Sequence, residues 1–155
     1  MSQILAAFFL WMSANVCNFE TPNTIFATNM EDFIHLHVHT HYSILDGQSK
    51  IPHLVDKAIA DGMRGMAVTD HGVMYGCVQF YKAAKKAGIK PIIGCEVYVA
   101  PRSRFDKEHG VDSEYTHLIL LCKNETGYKN LCYLVSMAFT EGFYNKPRID
   151  WALLH

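Results

Sequence analysis

The sequence predicts an α/β fold, and three observations carry that prediction. From Phe33 onward, strand-like apolar runs alternate with segments of helical periodicity, the order expected of a parallel sheet joined by crossover helices. Four successive strand-like runs each bear a histidine or a carboxylate near one end: His37 and His39, then Asp70 and His71, then Glu96, then His117. In parallel α/β sheets, and in closed α/β barrels above all, sites gather at the carboxyl ends of strands. The first run also sets four histidines, His35, His37, His39 and His41, at every second position.

Each element follows from the residues. Phe33–Val38 reads as a buried strand, with Phe33, Ile34, Leu36 and Val38 as its apolar members. Alternate side chains of an extended strand share a face, so His37 and His39 are set to share one metal ion. Neutral imidazole is a common metal ligand. Ser49 is placed to cap a helix with Pro52 in its first turn, Leu54, Val55, Ala58 and Ile59 as its apolar stripe, and Gly62 as its stop. Gly65–Thr69 is a second strand, closed by Asp70-His71-Gly72. A second helix follows over Tyr75–Ala87 and ends at Gly88. The third strand, Pro91–Val99, is expected to break at Gly94. Pro101–Ser113 is a charged, irregular loop, Tyr115–Leu121 a fourth strand, and Thr126–Phe139 a third helix. Taken singly, the polar residues have ordinary readings: Asp70 as a helix cap, His117 as a satisfied core histidine, Glu96 as an ion-pair partner. Their recurrence at one sheet edge favours a site.

Composition narrows the class. A chain of 155 residues, half of them apolar and 19% charged, suits one globular domain with a real core. Its formal charge of −1 asks for no nucleic acid in the overall balance. Five cysteines without a CxxC pair predict reduced, mostly buried thiols of a cytoplasmic protein. The apolar run at residues 4–12 is too short to span a bilayer. No basic residue precedes it, the first being Lys50, and a secretory signal needs a positive start. Residues 1–29 are therefore expected to be a poorly structured extension or linker, with the domain proper running from residue 30 to 155.

These residues also resemble a known family. His35-Leu36-His37-Val38-His39-Thr40, followed by Tyr42-Ser43 and Leu45-Asp46-Gly47, is similar to the opening motif of the PHP (polymerase and histidinol phosphatase) superfamily. Ala67-Val68-Thr69-Asp70-His71-Gly72 resembles its second motif. Phe80-Tyr81 with Gly88-Ile89-Lys90-Pro91-Ile92-Ile93-Gly94, and also Glu96-Val97-Tyr98-Val99, resemble one branch, the α subunits of bacterial DNA polymerase III. So do Thr126-Gly127-Tyr128-Lys129-Asn130-Leu131 and the stretch from Glu141 to Asp150. The resemblance implies a partial, distorted (β/α)7 TIM-like barrel, about its first half, whose complete form holds up to three divalent metal ions. It implies His37 and His39 on a first metal, Glu96 bridging to a second, His117 on that second, and Asp46 with His71 on a third. Asp70, beside His71, is implied as a supporting group or occasional ligand, and with Glu96 makes up the expected catalytic pair. His35 and His41 fall outside the implied ligands.

A carboxylate bridge sets two cations about 3.5–4 Å apart, and such pairs hydrolyse phosphoesters. Mixed His, Asp and Glu ligation suits Zn²⁺, Mn²⁺ or Fe²⁺. The resemblance implies a proofreading 3′–5′ exonuclease site within a replicative DNA polymerase, with DNA and other replicase subunits as partners and no membrane. It also implies a late Asp-x-His pair that this sequence does not contain. The expectation is a half domain that binds metal weakly, self-associates and is inactive alone. Two other readings stand beside it: a non-catalytic module that stabilises the polymerase, and a stand-alone phosphatase such as a histidinol phosphatase. Arg102, Arg104, Phe105 and Lys107 read first as a solvated loop, since Asp106 and Glu108 lie among them. Lys82, Lys85, Lys86 and Lys90 read first as surface charge complementing a helix end.

Overall fold

A computed structural model describes residues 33–155; the extension expected over residues 1–29 lies outside them. In chain order the elements are α1 (Ile51–Ala60), β1 (Gly65–Val68), α2 (Cys77–Ala87), β2 (Lys90–Val99), β3 (Thr116–Leu121), α3 (Glu125–Thr140), β4 (Arg148–Ile149) and α4 (Trp151–Leu154). The fold is a mixed α/β sheet with β2 at its centre. On one side β1 runs parallel to the first half of β2, from Gly65 opposite Lys90 to Val68 opposite Ile93. On the same side β4 runs parallel to its end, with Tyr98 opposite Arg148. On the other side β3 pairs antiparallel, from Gly94 opposite Leu121 to Val99 opposite Thr116.

That antiparallel pair corrects the expectation of an all-parallel sheet. A parallel return needs a crossover long enough to carry the chain back, usually a helix. Residues 100–115 form no helix; they turn back on themselves, and β3 comes up beside β2 in the opposite sense. Gly94 does not break β2. A Cβ there would lie 2.5 Å from the Leu120 carbonyl oxygen, so the glycine lets the two backbones close together.

The first expected strand also changes character. Residues 33–38 lie extended along β1, and Ala67 N–H and Thr69 N–H donate to the carbonyls of His35 and Val38, both at 2.8 Å. No regular ladder forms, because Val38 N–H is taken by the Thr69 hydroxyl at 2.9 Å. Phe33, His35 and His37 are exposed, so this segment is an edge and not the buried strand expected. Ser49 does not cap α1 either. The capping position is Lys50, and the Ser49 carbonyl accepts from His41 N–H at 3.0 Å. Gly88 ends α2 as expected, in the left-handed conformation, and the Asn124 side chain, which the sequence reading did not single out, accepts from Gly127 N–H to start α3.

Two apolar clusters flank the sheet. One joins α1 and α2 to β1 through Ile51, Val55, Met66, Val68 and Phe80. The other packs α3 residues Leu131, Leu134 and Ala138 on Cys95, Val97, Val99 and Leu120. Because β2 sends Cys95, Val97 and Val99 into this core, Glu96 and Tyr98 project from the opposite face. Cys77 and Cys95 are buried and Cys122 and Cys132 partly so, all four as free thiols. Among the described residues no helix is long and apolar enough to cross a membrane.

The loop between β2 and β3 is held from within. Arg148 is fully buried, and its guanidinium donates to the carbonyls of Gly142 at 3.1 Å, Asp112 at 2.9 Å and Asp106 at 2.8 Å. Asp112, also fully buried, accepts from Arg102 Nε at 2.9 Å, from Arg102 Nη2 at 2.6 Å and from Glu108 N–H at 2.9 Å. Arg102 is thus a fastening of the loop. Arg104 pairs with Glu141 and Asp150.

Replacing Arg148 with Met strands the backbone carbonyls it serves, and hydrogen bonds to charged groups are the strong ones. Unfolding free energy in urea is expected to fall by about 3 kcal/mol or more. The hydrogen bonds from Arg102 hold the Asp112 carboxyl down at about 2, below its ordinary value of 3.8. A carboxyl held low when folded stabilises the fold above the ordinary value and loses that contribution as pH falls toward the lowered one. The urea midpoints of wild type and Asp112→Asn should therefore differ most near pH 5 and converge as pH falls toward 2.

Candidate metal centre

Glu96 lies at the centre of the site. It projects from the face of β2 opposite the α3 core, with its side chain 5% exposed. Its neighbours arrive from both sides of the strand. The segment after β1 continues alongside β2: Glu96 N–H donates to the Asp70 carbonyl at 3.1 Å, and Gly72 N–H to the Glu96 carbonyl at 2.8 Å. This sets His71 directly opposite Glu96. From the other side, β3 sets His117 opposite Tyr98. Since β3 is antiparallel, His117 comes from its amino end and still reaches the edge where β2 ends.

The carboxylate is shared. Its Oε2 lies 2.5 Å from His37 Nε2, 2.9 Å from His39 Nε2 and 3.7 Å from His71 Nδ1. Its Oε1 meets His117 Nδ1. Two groups of metal-ligand chemistry result, His37 with His39 and Glu96, and His71 with Glu96 and His117. Glu96 belongs to both. Burial opposes its ionisation, but hydrogen bonds from His117 and His37 hold its carboxyl below the ordinary value. Asp46 and His71 meet as a pair, Oδ2 to Nε2 at 3.0 Å, and that contact lowers the Asp46 carboxyl. Among the described residues no third ligand joins them in a group.

The hydrogen-bond roles can be followed to the ring nitrogens. Asp70 is buried, and its carboxylate accepts from Thr40 N–H at 2.6 Å, the Thr40 hydroxyl at 2.8 Å and the Ser43 hydroxyl at 2.7 Å. The single Ser43 hydrogen is therefore spent on Asp70. At 3.2 Å from His39 Nδ1, Ser43 Oγ can only accept, so Nδ1 carries the hydrogen and His39 Nε2 is left as a bare lone pair. Burial, together with the neighbouring His71, lowers the His39 pKa and keeps the ring neutral. That lone pair faces His37 Nε2 at 2.8 Å and the Glu96 carboxylate at 2.9 Å. These three atoms, two imidazole nitrogens and a carboxylate oxygen, are placed to share a cation. On the other side, ionised Asp46 takes the His71 Nε2 hydrogen, and His71 Nδ1 is buried with no hydrogen-bond partner. A histidine with one nitrogen on an oxygen acceptor and the other bare is the usual state of a metal ligand. The residues fit a divalent metal.

The geometry gives Asp70 a supporting place beside the cluster. Both of its oxygens are engaged by Thr40 and Ser43, and it holds the loop that carries His39. Thr40 and Ser43 were not expected from the sequence; their partner lies 30 and 27 residues away along the chain. Tyr98 was also missed as a site residue. Its ring lies parallel to His71 at 6.2 Å and edge-on to His117 at 5.1 Å, and burial pushes its phenol up to about 12. Gly72, at φ +63°, makes room for it: a Cβ there would stand 2.9 Å from Tyr98 Cε2.

A family model described as the PHP domain matches residues 35–155. The chain belongs to the PHP domain family. Curated relatives bear out the expected branch. This PHP chain is 55% identical over 123 residues to DNA polymerase III subunit alpha of Treponema pallidum, and 57% identical to that of Chlamydia pneumoniae, each match covering 79% of the chain. It is 56% identical over 119 residues to that of Borreliella burgdorferi, covering 76% of the chain. The chain spans about a tenth of the length of these relatives, the match covering 10% of each. Among solved structures, a putative metal-dependent phosphoesterase from Bifidobacterium adolescentis aligns at 18% identity with a TM-score of 0.44, over 68% of this chain and 34% of that one.

Removing the Asp70 carboxylate leaves three donors, two hydroxyls and a backbone N–H, without their acceptor. Asp70→Ala should cost about 2–4 kcal/mol of stability. His37→Ala, at a half-exposed ring, should cost less than about 1 kcal/mol. Thermal unfolding of the two variants checks the order.

Proposed function

We propose that this chain is the N-terminal part of the PHP domain of a DNA polymerase III α subunit and carries a metal-dependent phosphoesterase site. The single observation that carries the chemistry is the sharing of the Glu96 carboxylate between two histidine groups. In this reading His37 and His39 hold one ion, Glu96 bridges to a second held also by His117 and His71, and Asp46 orients His71. The resemblance would instead put Asp46 and His71 on a third ion; the grouping of His71 with Glu96 and His117 favours the second. This chain would form about the first half of the complete barrel. Zn²⁺, Mn²⁺ and Fe²⁺ all suit the ligands.

Bound ions supply acidification of water and stabilisation of charge on a phosphoryl oxygen. The chain's own residues do the rest. Ser43 sets the His39 tautomer, Asp70 fixes the Thr40–Ser43 turn, and the buried Glu96 keeps its charge for both groups. The substrate class is a phosphoester, and in the parent polymerase it would be the 3′ end of a DNA strand, cleaved as a 3′–5′ exonuclease. DNA, other replicase subunits and the cytoplasm are the corresponding partners and compartment. The free edge of β3 among the described residues supports self-association of the chain in solution.

Titration of the chain with Mn²⁺ or Zn²⁺ by calorimetry tests the site. Glu96→Gln should weaken binding by at least about tenfold, since even supporting partners of metal ligands commonly matter that much. Metal binding that is the same in wild type and Glu96→Gln sinks the shared-carboxylate reading.

A further inference from the structure

We propose that Lys146 is a phosphate-binding residue of this site, its ammonium taking the non-bridging oxygens of the phosphoester substrate; the inference rests on the phosphoesterase reading above. Three observations converge on it. The first is position. Lys146 Nζ lies 5.5 Å from the centroid of the Tyr98 ring. That ring is the neighbour of both His71 and His117, so one aromatic ring separates the ammonium from two members of the cluster. The adjoining Pro147 is equally close: its Cγ stands 3.0 Å from where a Cβ on Gly72 would lie, next to His71.

The second observation is the state of the charge. Arg102, Arg104, Lys57 and Lys129 all meet carboxylates. Lys146 meets none among the described residues, and its ammonium rests over the face of Tyr98. A cation resting on an aromatic face at a partly exposed position is held weakly. It is free to turn to an anion that enters the cluster, and lysine serves phosphate as a mobile point charge.

The third observation is the support beneath it. Asn145 sits at φ +61°, the one non-glycine residue with positive φ among those described. The turn is closed by Tyr144 N–H donating to the Lys146 carbonyl at 3.1 Å. Pro147 is buried, and Arg148 is fully buried and tied to three carbonyls. Backbone held in a sparsely populated region persists where the surroundings over-determine it, and such places cluster at ligand clamps. A flexible side chain is thus presented from a rigid base.

The test uses the chain loaded with Mn²⁺ and inorganic phosphate as the probe, both titrated by calorimetry. Lys146→Gln should bind Mn²⁺ as wild type does and bind phosphate at least about tenfold more weakly. Lys146→Arg should recover most of the phosphate affinity, and Lys82→Gln, an exposed lysine of α2, should leave it unchanged. Undiminished phosphate binding by Lys146→Gln with normal Mn²⁺ binding overturns the inference and leaves the phosphoesterase reading standing. Failure of the wild-type chain to take up Mn²⁺ overturns the reading itself, and the inference with it.

Discussion

The buried Asp70 carboxylate, accepting from Thr40 and Ser43, is the interaction on which the site depends. It joins the end of β1 to the turn that follows the histidine segment, two pieces of chain with no regular ladder between them. Without that joint His37 and His39 would project from an edge segment tied to β1 by only a few hydrogen bonds. With it, the Ser43 hydroxyl is committed, the hydrogen on His39 is placed at Nδ1, and the opposite nitrogen faces Glu96. One carboxylate therefore sets the position of a loop and the chemical state of a ring that it does not touch.

Around this joint the sheet gathers donors from strands of opposite sense. β1 and its continuation bring Asp70 and His71 to the carboxyl edge of β2. β3 reaches the same edge with its amino end and delivers His117 there. What matters to the cluster is the edge and the face, not the direction of the strand. The alternation of β2 does the sorting: Cys95, Val97 and Val99 enter the α3 core, and Glu96 and Tyr98 are left on the opposite face.

The region after β2 is organised by buried charge. Arg148 satisfies carbonyls of the Asp106–Asp112 stretch and of Gly142, and Asp112 neutralises Arg102. A buried guanidinium is costly unless its donors find partners, and here backbone oxygens supply them at all three nitrogens. The same anchor fixes β4 beside the end of β2 and stiffens the turn that carries Lys146. The fold of the loop and the furnishing of the site edge share one buried cation.

By itself the sequence determined the residue types and their local order. The spacing of His37 and His39, the Asp70-His71-Gly72 closure, Glu96 within an apolar strand and His117 at the head of another were all legible. Local periodicity and punctuation carry such information, and so the helix positions and the cluster's members followed. The direction of β3 came from the tertiary structure, although the helix-free loop before it was itself legible and leaves no crossover for a parallel return. The tertiary structure alone showed which donors the Asp70 carboxylate takes. Its partners Thr40 and Ser43 lie 30 and 27 residues away, a separation at which no local pattern registers a hydrogen bond. The tautomer of His39 and the placing of Lys146 over Tyr98 belong to the same class. Both arise from contacts between distant segments, and they exist only once the sheet has brought those segments together.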